Sequence, residues 1–299
     1  MASGLNRNKG VWVMTQESWF RRIWRLITPE LIYLAICYLI DIAAAGYWAF
    51  SMAGDYSQNN MDAFVTALSD KLIKYAMVLQ SAAAFFSILI LLRMYFKDYK
   101  KRRFVFDRKG TAPGWWLILI PIGIFVSLAG NLLINVSDLA AMSEGFDQSQ
   151  QMLFSGPLAA QIIGIGVIIP ICEELIYRGL IFMRLRQYCN VNLAIGISAI
   201  LFAAFHGNIV QGIYAFVTGI LFAYVYEKYG SLKAPMIVHI SANMLSLGLA
   251  CMNYTFDSRT KVLLIGVMAV AVCLALVWVM DRHVAAKRVY LNQAEASEA

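Results

Sequence analysis

Glu173 and Glu174 stand side by side in Ile171-Cys172-Glu173-Glu174-Leu175-Ile176-Tyr177-Arg178-Gly179, directly after Ala159 to Pro170, an apolar run with one Gln and no charge. Placing one charged side chain at the centre of a bilayer costs roughly 2.5–3.5 kcal/mol on insertion scales, so an unforced carboxylate pair is not expected there. Helical spacing divides the pair. Residues i and i+4 share a face, so Glu174 lies over Arg178 with the acid N-terminal to the base, the favourable order. Glu173 is turned about 100° away and meets only Tyr177 at that spacing. One glutamate thus carries its own counter-ion and the other does not. Desolvation without a counter-ion makes Glu173 the candidate general base. The competing structural reading is a buried ion pair that locks two helices together.

The chain has three histidines, and two lie in apolar segments. Phe202-Ala203-Ala204-Phe205-His206 closes one such segment, with Phe202 and His206 on a common face. His239-Ile240-Ser241-Ala242-Asn243 opens another, where the i, i+4 spacing stacks His239 against Asn243. His283 falls in a polar tail and reads as solvated. A carboxylate to deprotonate water, imidazoles to position it or donate protons, and an amide donor for an oxyanion are together what peptide hydrolysis needs.

These residues must be carried by membrane helices. Of the 299 residues, 60% are hydrophobic and only 14% charged, with a mean hydropathy of +0.64; soluble chains carry about 25% charged residues. The apolar runs are of bilayer-spanning length without strict alternation, which selects helices over a barrel. The expected fold is therefore all-α and polytopic. An amphipathic helix is expected over Gln16–Ile27, with Trp19, Phe20, Ile23, Trp24 and Ile27 on one face and Arg21, Arg22 and Arg25 on the other, lying on the membrane surface. Pro29 then opens the first of about eight spans: Leu31–Met52, Leu72–Met94, Trp115–Val136, Pro157–Leu185, Leu193–His206, Gly212–Tyr226, Pro235–Met252 and Val262–Met280. The chain divides into a cytoplasmic segment with the interfacial helix (1–28), three leading spans (29–150), a core carrying the chemistry (151–255), and a last span with a polar tail (256–299).

Eight spans put both termini on one side. All Lys and Arg except Lys71, Lys74, Arg259 and Lys261 then fall on that side, including the loop of Lys97, Lys100, Lys101, Arg102, Arg103, Arg108 and Lys109. The positive-inside rule makes it the cytoplasm. The net charge of +7 is accordingly a topology signal, and no nucleic-acid partner is expected. The loop with Asp138, Glu144 and Asp147 faces the other side. The first 28 residues lack an apolar run ending in small residues, so no cleavable signal peptide is expected. Cys37, Cys172, Cys189, Cys251 and Cys273 are scattered, and read as small buried hydrophobes.

Glu173-Glu174-x-x-x-Arg178, Phe202-x-x-x-His206 and His239-x-x-x-Asn243, in this order and on three spans, resemble the motifs of the CPBP family, the CAAX prenyl endopeptidases and bacteriocin-processing intramembrane proteases also called Abi. The resemblance covers about residues 156–250. It implies an intramembrane endopeptidase acting near the cytoplasmic face on a membrane-associated or lipidated peptide or protein, with the bilayer as its other partner. By that match Glu173 activates the water, His206 assists, His239 and Asn243 line the oxyanion site, and Glu174 and Arg178 support. Such proteins are often called metalloproteases, and Glu173, His206 and His239 would be the ligand set for a zinc ion. No HExxH is present, however, and a glutamate that is a ligand cannot also be the free base. Metal-independent activation by Glu173 is the favoured mechanism, with no cofactor required. Two other readings compete: a proton-coupled transporter, for which the intramembrane Glu, His and Asp41 would form a relay, and a non-catalytic membrane immunity or scaffold protein. Helix rise sets His239 about 6 Å inside its span and His206 about 20 Å along its own, so their meeting requires a tilted or broken helix.

Overall fold

The computed structural model describes residues 17–54, 60–100, 104–107, 111–137, 143–252, 258–284 and 287–290. Residues 1–16, most of the basic loop (101–103 and 108–110), Asp138 and the tail beyond 290 lie outside the described residues. Seven helices are long and apolar enough to cross a membrane, and the protein is an all-α, multi-pass integral membrane protein. In chain order the long helices are α1 (Trp19–Met52), α2 (Met61–Lys100), α3 (Leu119–Val136), α5 (Leu158–Leu185), α7 (Ile209–Tyr229), α8 (Lys233–Cys251) and α9 (Arg259–His283). Two shorter helices, α4 (Glu144–Leu153) and α6 (Val191–Ala204), complete the set among the described residues.

Several boundaries differ from the sequence reading, each for a physical reason. The surface helix and the first span are one 34-residue helix, α1, with Pro29 inside it. Its aromatic face points outward, Trp19 and Phe20 being 76% and 70% exposed, while Arg22 and Arg25 of the arginine face are half-buried and Arg21 is exposed. Arg25 is held by Glu17 at 2.9 Å and by the Tyr188 hydroxyl at 2.8 Å. Burial raises the carboxyl of Glu17, but hydrogen bonds from Tyr188 and Arg25 outweigh it and hold the group below its ordinary range. Helix α2 has 40 residues, about 60 Å of rise, and so projects well beyond a hydrocarbon core of about 30 Å. The expected fifth span is the 14-residue α6, only about 21 Å long. The acidic loop contains α4, capped by the Ser143 hydroxyl accepting from the Phe146 amide. Asp41 is exposed on α1, turned away from the bundle interior where a relay would need it. Cys172 and Cys273 are buried as expected, but Cys251 is exposed.

The basic helix ends meet at one end of the bundle. Arg184 at the end of α5 donates to Asp98 of α2 at 2.6 Å and to the Arg25 carbonyl of α1. Arg186 reaches Glu227 of α7, and Lys228 pairs with Asp281 of α9. At the same end Phe104–Asp107 (β1) and Lys287–Tyr290 (β2) form an antiparallel two-stranded ribbon, which pairs the loop after α2 with the tail after α9. The ribbon is the one sheet among the described residues, and no apolar periodicity announced it. Gly230 closes α7 with a φ of +60°, and a Cβ there would lie 2.4 Å from the Phe106 ring.

Helix α5 is the axis of the bundle, with eight consecutive residues, Leu175 to Phe182, all buried. Facing it, α8 is fixed to α3 by a polar cluster: Ser127 donates to the Ala242 carbonyl at 2.8 Å, and Asn131 donates to Ser246 at 2.9 Å. Gly123 lets these helices touch, since a Cβ there would sit 2.3 Å from the Val238 carbonyl. Val238 precedes His239, so this contact sets the depth of a candidate catalytic residue. Gly123→Ala is expected to push α8 away, at the roughly 1–3 kcal/mol typical of overpacking. Thermal unfolding in detergent should show a lowered midpoint; an unchanged midpoint would mean that the two backbones do not meet there.

Candidate active site

Glu173, His206, His239 and Asn243 all line one cavity of about 560 Å³. The resolution of the depth problem is that His206 does not lie in a helix. Helix α6 stops at Ala204, and His206 follows in the turn that leads to α7, with Gly207 at a φ of +76° completing the reversal. The short helix thus delivers its histidine to the level where α8 presents His239.

The hydrogen-bond partners define the imidazoles. Nδ1 of His206 is 2.7 Å from the Phe202 carbonyl. A carbonyl only accepts, so Nδ1 carries the proton and Nε2 is left as the acceptor. Nδ1 of His239 is 2.9 Å from Oε1 of Glu174, and its Nε2 is 3.5 Å from Oε2 of Glu173. The two neighbouring carboxylates therefore embrace one histidine, one on each ring nitrogen. Phe222 stacks on His239 with ring centroids 4.7 Å apart, and Phe202 sets its ring edgewise to His206 at 4.6 Å and to His239 at 6.0 Å. The motif phenylalanine is thus the wedge between the two imidazoles.

Glu174 and Arg178 form the ion pair expected from their spacing, 3.0 Å apart with both side chains 0% exposed. Oε1 of Glu174 accepts from both Arg178 and His239. The other guanidinium arm of Arg178 donates to the Gly219 carbonyl of α7 at 3.0 Å, and the cation lies 4.5 Å from the Phe202 ring and 5.2 Å from the Phe222 ring. One expectation needs correction. Glu173, read as the desolvated carboxylate, is 21% exposed on the cavity; Glu174 is the dry one. What distinguishes Glu173 is access to the cavity, not burial.

Asn243 donates from its amide to the Ile165 carbonyl at 2.9 Å, leaving its second N–H without a partner among the described residues. One acid was missed: Glu30 on α1, 3% exposed, accepts from the Tyr177 hydroxyl at 2.9 Å. Tyr177 shares the Glu173 face at i+4. The signal was present, since an acid one residue past Pro29 at the start of a span is itself uncommon.

Among the described residues no three His, Cys, Asp or Glu side chains are disposed to hold a metal ion. His239 has its two nitrogens against two carboxylates, and His206 does not close the set with Glu173 and His239. The residues read from sequence as zinc ligands therefore do not fit a three-ligand centre as they stand.

The cavity runs from Glu173 and His239 towards Asn135 at the end of α3, Gln150 on α4, Gln211 at the start of α7 and Ala250 at the end of α8. These positions lie at the end of the bundle away from the ribbon and the basic helix ends. The sequence reading put both the basic ends and the opening of the site on the cytoplasmic side; the structure puts them at opposite ends.

With this geometry in place, the comparison with known proteins is direct. Residues 155–245, which contain α5 to most of α8, match the model of the type II CAAX prenyl endopeptidase Rce1-like family. In Bacillus subtilis (strain 168), the protein named "Putative membrane peptidase YdiL" is 24% identical over 180 residues, 58% of this chain and 72% of that protein. In Lactococcus lactis subsp. lactis (strain IL1403), "UPF0177 protein YxdF" is 27% identical over 147 residues, 46% of this chain and 80% of that protein. No solved structure matches significantly. The region that carries the three motifs is thus similar to the Rce1-like family, as the resemblance read from the sequence has it, and one of the relatives is named as a membrane peptidase.

Removing the charge of Glu174 tests the buried network. Glu174→Gln leaves Arg178 without its charged partner in a dry site, and breaking such a pair costs about 3–5 kcal/mol. Reduced abundance and early unfolding of the purified variant are expected. Wild-type stability would show that the pair carries no structural load.

Proposed function

We propose that the chain is an intramembrane endopeptidase that hydrolyses a peptide bond of a membrane-associated peptide or protein, with Glu173 as the general base. The observation that carries this reading is the placing of His239 between the two glutamates, Glu174 dry on Nδ1 and Glu173 open to the cavity on Nε2.

In the proposed reaction a water sits between Glu173, His206 and the substrate carbonyl. Glu173 takes one proton, Nε2 of His206 accepts a hydrogen bond from the same water, and the resulting hydroxide attacks the carbonyl carbon. The C=O π bond opens to an oxyanion, which the free amide N–H of Asn243 and the imidazole of His239 stabilise. Glu173 then returns its proton to the leaving nitrogen as the C–N bond breaks, giving a carboxyl and an amine end. Glu174 holds the ring orientation of His239 through Nδ1–H, and Arg178 keeps Glu174 in place. No step calls on a metal, in keeping with the absence of a third converging ligand among the described residues.

Glu173→Gln keeps the shape of the site and removes the base. Loss of about two orders of magnitude or more in turnover per folded molecule is expected, general acid–base catalysis contributing typically 10²–10⁴-fold, with little change in melting behaviour. Comparing the peptides of membranes bearing wild type with those bearing this variant would identify substrates at the same time. Full activity in Glu173→Gln would assign the base elsewhere, and identical peptide profiles would favour a non-catalytic membrane role. Activity of the purified protein is also expected to survive exhaustive chelation. Loss on chelation with recovery on adding zinc would overturn the metal-free mechanism while leaving the endopeptidase reading intact.

A further inference from the structure

We propose that the cavity receives its peptide from the face of the membrane opposite the chain termini, outside the cytoplasm, and that it selects an uncharged or cationic segment free of acidic side chains. This deepens the endopeptidase reading and rests on it.

The direction follows from which helix ends form the mouth. Glu173, His239 and Phe222 are the deep residues, and beyond them towards the ribbon the bundle is closed by Arg178, Phe182 and Tyr226, each fully buried. The wall then continues only the other way, through Thr218 and Ser246 to Asn135, Gln150 and Gln211. Helix α4 forms one side of that mouth, and its neighbours are the ends of α3 and α8 and the start of α7. The opposite end of the bundle holds Arg25, Arg184, Arg186, Lys228 and the strand Lys287–Tyr290. The sequence places nearly all Lys and Arg at that end, and such an asymmetry fixes it to the cytoplasm. The cavity mouth is then extracytoplasmic.

The selectivity follows from the lining. Among the described lining residues Glu173 is the sole carboxylate, and none is Lys or Arg; imidazoles, amides, hydroxyls, aromatic rings and aliphatic side chains supply the rest. An acidic side chain entering this space meets a carboxylate and no Lys or Arg. A neutral segment finds amide and hydroxyl partners along the wall, and a Lys or Arg near the mouth is drawn inward by Glu173. The cavity volume lies within the range of ligand pockets that enclose their occupant, about 300–1,000 Å³, which suits a short extended segment rather than a folded domain.

Cys251 makes the test possible without substitution. It is exposed at the mouth end of α8, so labelling by a membrane-impermeant maleimide, mapped to this cysteine by mass, reports which way the protein faces. In intact cells Cys251 is expected to label from outside; labelling only after permeabilisation would overturn the extracytoplasmic assignment. Sealed proteoliposomes with a measured Cys251-out fraction are then given a mixture of impermeant quenched fluorogenic decapeptides. The external rate is expected to follow the Cys251-out fraction and to rise to the full rate on adding detergent. A rate that follows the Cys251-in fraction would overturn the direction of entry. No cleavage in detergent either would overturn the endopeptidase reading and this proposal with it. Matched peptides carrying Lys or Glu beside the scissile bond should differ in kcat/KM by about tenfold or more in favour of Lys, as expected for a like charge within a few ångströms of Glu173. Equal rates, or faster cleavage of the Glu peptide, would overturn the selectivity.

Discussion

Arg178 is the largest fully buried side chain among the described residues, and the rest of the site depends on how that cation is kept. Taking a guanidinium and a carboxylate out of water costs several kcal/mol per ion even after relaxation, and their attraction repays this only when the remaining polar atoms are also satisfied. Here the repayment is incomplete. Nε of Arg178 and Oε2 of Glu174 have no hydrogen-bond partner among the described residues. What compensates is a cage: the Gly219 carbonyl on one arm, Glu174 on the other, and the faces of Phe202 and Phe222 around the cation. The same two rings pack on His206 and His239. A single buried charge therefore draws α5, α6, α7 and α8 to one point, and the histidines are located by the groups that solvate it.

The residues that cluster around the cavity were legible in the sequence because charge and imidazole are rare in apolar helices, and three short spacings singled out Glu173, Glu174, Arg178, His206, His239 and Asn243. The link between them was not legible. The i, i+4 rule relates Glu174 to Arg178 on one helix, but nothing local says that Oε1 of Glu174 also accepts from a ring 65 residues away. Burial was assigned to the wrong glutamate for the same reason: which face of α5 meets the cavity is decided by neighbouring helices, not by the helix itself. The count of about eight apolar helices matches the seven long helices and the short α6 among the described residues, but the length of α6 was not legible. Helix α6 is apolar enough to be read as a span, yet it is short because its last turn is spent on placing His206. The continuity of α1 through Pro29 reflects what the inner face can bury. Arg25, Glu17 and Tyr188 satisfy one another there, so the chain needs no break between a surface helix and a span. The ribbon of Phe104–Asp107 with Lys287–Tyr290 joins segments nearly two hundred residues apart, beyond the reach of any local pattern.

Helix α5 is not a uniform α-helix, and this bears on why two adjacent glutamates have different surroundings. Two π-helical stretches, Gly164–Ile168 and Leu175–Phe182, flank the α-helical segment Ile169–Glu174. Such stretches are rare and frequent at functional sites, because the i→i+5 pattern displaces backbone groups from the regular ladder. Each has a carbonyl taken by a side chain from a neighbour: Asn243 of α8 donates to Ile165, and Ser198 of α6 donates to Tyr177. The irregularity in α5 is thus matched by polar groups on the two helices that also bring the histidines. Asn243 has a double constraint, since the N–H that holds Ile165 orients the one that faces the cavity.

The same irregularity sets the roles of the carboxylates. In a regular helix packed on all sides, Glu173 and Glu174 would both be enclosed, and each would need its own cation. In α5 the wider stretch after Glu174 lies wholly in the core, so Glu174 points into protein and finds Arg178. Glu173 points across the preceding face, where Tyr177 is engaged with Glu30 of α1 and the cavity begins. Its carboxylate is left facing the His239 ring and what enters the cavity. In the proposed reaction this carboxylate, with an imidazole on one side and open space on the other, takes a proton from a water and returns it within the same site. Packing alone would not produce that asymmetry from two identical side chains. It requires one glutamate to be neutralised locally so that the other need not be.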